Sequence, residues 1–72
     1  MVIEERTTPV TYVTVEAAIA ELRQTMARME RIYETSSEAM LQAVRSGERV
    51  DTAEIALWLV QYRELQHLLS LS

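Results

Sequence analysis

The chain has 72 residues, 49% of them hydrophobic, with 11 acidic and 7 basic side chains for a formal net charge of −4. It is one domain at most, too apolar for a disordered tail and too acidic for a nucleic-acid face, which needs clustered positive charge. With no Cys and a single His it has neither a disulfide framework nor a zinc cage to staple it.

A core in a chain below about 70–80 residues rarely supplies more than about 3–5 kcal/mol. A partner chain is the remaining source of extra stability, so a homo-oligomer, either a dimer or a dimer of dimers, is expected. Every basic residue is Arg. The segment Met1 to Arg6 holds no apolar run of signal-peptide length. The longest apolar stretch, Ile55 to Val60, is far short of the roughly 20 residues of a membrane span. The expected compartment is the cytoplasm, with no membrane partner.

Residues 1–13 read as an extended or disordered arm. Pro9 lacks a backbone donor, and the surrounding Val and Thr residues lose rotamer freedom in a helix. A short strand there is the alternative. The first helix is expected over about 15–34. Thr14 is a suitable N-cap, and Glu16 places negative charge in the first turn. Val15, Ile19, Leu22, Met26, Met29 and Tyr33 follow in steps of four and three, the a/d seam of a heptad, with Ile32 at a flanking g position.

A break is expected near Thr35. The run Thr35-Ser36-Ser37 competes with the backbone for hydrogen bonds, and Thr35 with Glu38 has capping-box spacing. A short helix over about 36–46 then carries Met40, Leu41 and Val44 on one face, unless a single helix continues through the break. Gly47 ends it as a C′ residue would. Asp51, with Glu54 three positions later, marks a second capping box.

The last helix is expected over about 52–70. Its main stripe is Ile55, Trp58, Leu59, Tyr62, Leu65 and Leu69. A second set, Leu57, Val60, Leu68 and Leu71, lies on nearly the opposite side at 100° per residue. A helix apolar on both sides needs cover on both, and so short a chain has little to offer the second. The candidate interface is therefore Val15, Ile19, Leu22, Met26, Met29 and Tyr33 on the first helix. On the last it is Leu57, Trp58, Val60, Tyr62, Leu65, Leu68 and Leu69.

No catalytic, cofactor or metal constellation stands out. His67 is the only imidazole and has no nucleophile partner. One Gly excludes a Gly-rich phosphate loop. Glu30 and Glu34 share a helix face without the Glu-x-x-His pattern of helical di-metal sites. Trp58 and Tyr62, four apart, serve either as core or as interface anchors. Met26, Met29 and Met40 serve either as gap-fillers or as an adaptable surface.

From Val13 onward the chain resembles a group of small prokaryotic proteins of archaea and cyanobacteria, described as hypothetical or antitoxin-like. The resemblance rests on five features. These are the helix start Val13 to Ala17, Tyr33 with Ser36-Ser37-Glu38, the Gly47-Glu48 turn, the cap Asp51-Thr52 with Glu54, and the spacing of Trp58, Tyr62 and Leu65. It departs at Glu34, where such proteins often carry Gly. The resemblance implies an antitoxin that binds and neutralises a small ribonuclease-like toxin encoded beside it.

The sequence thus describes an all-α chain, a helical hairpin of two or three helices expected to form an intermolecular bundle, with no enzymatic activity and no cofactor. Three functions compete. They are an antitoxin-like regulator, a self-assembling structural or scaffolding oligomer, and a DNA-binding repressor with Thr11 to Val15 as a ribbon strand. The last is disfavoured because that strand carries no Arg or Lys.

Overall fold

The computed structural model describes residues 14–71, which form three α-helices and no strand. They are α1 (Val15–Tyr33), α2 (Ser37–Arg45) and α3 (Ala53–Leu71). The expected arm over residues 1–13 lies outside the described residues. Val15, the end of the alternative ribbon strand, opens α1 instead.

Thr14 caps α1 as its sequence suggests. Its extended backbone lets its hydroxyl accept from the Ala17 N–H at 3.0 Å. The helix stops after Tyr33 because Glu34 turns left-handed, with φ 56° and ψ 42°. The N–H of Thr35 then reaches back to the Glu30 carbonyl at 3.2 Å. A continuous helix through this point is therefore excluded.

The cap of α2 differs from the expected one. Ser36, not Thr35, accepts from the Ala39 N–H at 3.0 Å. Glu38 is drawn away from any capping box by Tyr62 and Gln42. Gly47 follows the helix with φ 83°, a left-handed turn that only Gly makes without cost. Its N–H returns to the Val44 carbonyl at 3.1 Å.

At α3 the expected Asp51–Glu54 box is likewise replaced. The Thr52 hydroxyl accepts from the Ile55 N–H at 3.2 Å, and Glu54 is engaged by the Tyr33 hydroxyl.

The core is Met26 and Met29 from α1, Met40 from α2, and Ile55, Trp58, Leu59 and Leu65 from α3. Ile19, Leu22, Tyr33, Leu41, Val44 and Tyr62 pack around it half-buried. Three of the seven buried apolar residues are Met, whose flexible thioether fills irregular gaps. The end of α1 meets the start of α3, so the two run as an antiparallel pair. Tyr33 stacks on Trp58 with ring centroids 5.4 Å apart. Arg49 lies 5.7 Å over the Tyr33 ring, within cation–π range.

Candidate interaction surface

The predicted interface residues divide into two groups. Met26, Met29, Trp58 and Leu65 are buried within the chain's own core, and Ile19, Leu22, Tyr33 and Tyr62 are packed against it. The inner part of the α1 seam is thus covered by α2 and α3 of the same chain. Val15 and Leu69, at the ends of the two stripes and also among the predicted interface residues, are exposed. Both sit toward the end of the hairpin away from α2.

The second group faces outward. Leu57 and Val60 are 59% and 62% exposed, and Leu68 is half-buried; Leu71, of the same apolar set but not among the predicted interface residues, is 62% exposed. The sequence missed Ile32 as an interface candidate; it is 60% exposed on α1. Its signal was its place off the a/d positions on an otherwise seam-forming helix. Val50, in the turn before α3, is also exposed and was not anticipated.

The outer ridge of α3 stands between two open grooves. One runs between α1 and α3, with Ile32 and Leu57 at its lips and Met29 and Trp58 beneath. Arg28 and Glu54 add opposite charges to its lining. The other runs between α2 and α3, lined by Leu41, Val44, Leu59 and Val60, with Arg45, Asp51 and Arg63. The apolar surface is therefore corrugated and edged by charges of both signs.

A polar relay, buried at Trp58 and Ser37 and half-buried at Glu30, ties the three helices together. Trp58 donates its indole N–H to the Ser37 hydroxyl at 2.9 Å. That hydroxyl has one proton. The Glu30 carboxylate at 2.8 Å is a stronger acceptor than the Met26 thioether at 3.5 Å. The same carboxylate oxygen accepts the Ser37 backbone N–H at 2.8 Å, so Glu30 satisfies an orphan donor in the first turn of α2 and places its charge at the positive end of that helix. Sequence reading overlooked this role for Glu30 because the seven-residue step crosses a helix break.

Three surface hydrogen bonds shift ionisation. The Tyr62 hydroxyl donates to Glu38 at 2.8 Å, and Gln42 donates to the other oxygen at 2.9 Å. The Gln42 amide, then the Tyr62 hydroxyl, hold the Glu38 carboxyl below its usual range. In return the bond to Glu38 raises the Tyr62 phenol, and the bond to Glu54 raises the Tyr33 phenol.

Chemically this relay is a strut. Ser37 is only 2% exposed, and its neighbours are Glu30, Met26 and Trp58, with no imidazole among them. His67 is on the surface of α3. Among the described residues no three His, Cys, Asp or Glu side chains gather as a metal site, and no helix is long and apolar enough to cross a membrane.

Comparison with protein-family models, with curated proteins and with solved structures returned no significant match. What defines the protein is its class: the described residues are all-helical, three helices with an apolar ridge turned outward.

Proposed function

We propose that this protein is a non-enzymatic binding module of antitoxin type, which uses the outer side of α3 to cover a partner protein and neutralise it. The observation that carries this reading is the outward set Leu57, Val60 and Leu71, each left about three-fifths exposed among the described residues. Fully burying one such side chain contributes about 1.5–3 kcal/mol. Ile32, Leu57, Val60 and Leu71, each about three-fifths exposed, therefore offer roughly 5 kcal/mol from this side of an interface. A complementary patch on a partner offers a similar amount, against an association cost of about 4–15 kcal/mol. That balance permits a specific complex. The net charge of −4 favours a basic partner and speeds its encounter.

The test is affinity capture from the native cell with the intact chain and with a Leu57→Gln/Val60→Gln variant. The intact chain is expected to retain a basic protein whose activity it blocks, and the variant is expected to lose it. Capture of the same proteins by both chains, or of none by the intact chain, overturns the reading. Self-assembly is the second reading, favoured by the symmetric spacing of the α3 ridge.

A further inference from the structure

The large apolar side chains on the outer ridge of α3 are spaced identically in both directions. Leu57 and Leu71 flank Glu64 at equal distances along the helix, and so, closer in, do Val60 and Leu68. At 100° per residue these five positions fall within about 80° of one another. We propose that this ridge is the contact for a second copy of the chain, α3 against α3, antiparallel, with Glu64 at the two-fold axis. The proposal rests on the outer side of α3 being a binding face, and it names the occupant of that face.

A two-fold axis at Glu64 sets Leu57 of one copy against Leu71 of the other, and Val60 against Leu68. The same patch then serves both chains, as a closed symmetric dimer requires. Charge selects the antiparallel direction. Asp51 and Glu54 crowd the start of α3, while its last turn holds no basic residue. A parallel pair would bring both acidic starts together. The antiparallel pair separates them by about 30 Å, at 1.5 Å per residue, and opposes the two helix dipoles.

At the axis the two Glu64 carboxylates repel. Arg63, which lines the groove beside Val60, offsets this. It flanks the ridge, and its long side chain reaches the Glu64 of the second copy. A contact of one short helix pair falls at the weak end of interface sizes, so the dimer belongs to high protein concentration. A foreign partner would compete with it for the same side chains.

The absence of Cys from the chain makes the register directly readable. Single cysteines are introduced into the full chain by Glu64→Cys, Leu57→Cys or Leu71→Cys, with helicity checked by circular dichroism. Each is equilibrated in a glutathione buffer at millimolar protein. A disulfide needs Cα atoms within about 7 Å.

The Glu64→Cys chain is expected to cross-link to itself. The Leu57→Cys and Leu71→Cys chains are each expected to stay unlinked alone, because their like positions lie about 21 Å apart, and to cross-link when mixed. Without cysteines, Glu64→Gln is expected to tighten the dimer roughly tenfold in sedimentation equilibrium by removing the like-charge contact.

Self-linking of the Leu57→Cys chain, no link in the mixture, or a monomer at every concentration overturns the proposal. A monomer that still captures a foreign protein through Leu57 and Val60 overturns only the self-pairing and leaves the proposed function standing. A dimer with this register that captures nothing supports the self-pairing and removes the antitoxin reading.

Discussion

Trp58 and Ser37, 21 residues apart in sequence, are joined by a buried 2.9 Å hydrogen bond from the indole N–H to the hydroxyl oxygen. The bond joins α3 to α2, and the Ser37 hydroxyl in turn donates a hydrogen bond to the Glu30 carboxylate of α1. One serine therefore fixes the mutual position of all three helices. Ser37→Ala leaves the Trp58 donor buried without an acceptor, since Trp58 is 1% exposed. The expected loss is about 1–3 kcal/mol of unfolding free energy. A cycle with Trp58→Phe should show a coupling of at least about 0.5 kcal/mol. Urea denaturation followed by circular dichroism measures both, and additive effects would show that the bond contributes nothing.

Glu34 lies in the left-handed region at φ 56°. For a residue with a Cβ this conformation costs about 1–2 kcal/mol. Gly adopts it freely but loses more entropy on folding. The balance predicts that Glu34→Gly stabilises the chain by about 0.5–1 kcal/mol. Glu34→Ala should give no such gain, because Ala keeps the Cβ. A lower melting temperature for Glu34→Gly than for the natural chain would contradict this account of the helix break.

The contrast between Thr14 and Thr35 explains what was legible in the sequence. Thr14 stands alone before the α1 stripe, so its capping role was plain from local chemistry, as was the left-handed turn at Gly47. Thr35 has Ser36 and Ser37 beside it, and Asp51 has Thr52. Any of these can accept a first-turn N–H. Contacts across the fold made the choice, since Tyr62 holds Glu38 and Tyr33 holds Glu54. The inward stripe of α3 from Ile55 to Leu65 was legible from its period. The exposure of Val15 and Leu69 was not, because a stripe does not record where the neighbouring helix ends. Ser37 and Glu30 were missed for a similar reason, as their pairing crosses a turn.

Both ends of the pH scale should weaken the fold through the tyrosine–carboxylate pairs. Tyr33 and Tyr62 have phenols raised above the ordinary 10.0 by their bonds to Glu54 and Glu38. A raised folded value stabilises the protein below pH 10 and loses that contribution as pH rises through the folded value. Glu38 is lowered from 4.5, so its contribution holds above pH 4.5 and fades as pH falls through the folded value. Ultraviolet titration of tyrosinate should show Tyr33 and Tyr62 ionising above pH 10. Tyr62→Phe should return Glu38 toward 4.5 in a carboxyl NMR titration. A tyrosine titrating at its ordinary value in either pair would remove that bond from solution.

Met40 and Val60 are both large apolar residues, yet they should respond in opposite ways to substitution. Met40 is 1% exposed, where α2 closes over the core, and Val60 is 62% exposed on the far side of α3. Truncating a buried Met to Ala costs about 2–5 kcal/mol through lost burial and the cavity left behind. That equals most or all of the stability a core this small supplies. Met40→Ala is therefore expected to unfold the chain at or near room temperature. Val60→Gln should change monomer stability by no more than about 0.5 kcal/mol, as surface changes do. Thermal melts at low protein concentration, where no second chain can contribute, separate the two. A large loss from Val60→Gln under those conditions would mean that Val60 supports the fold itself, and the outer face of α3 would lose its standing as a surface free to bind.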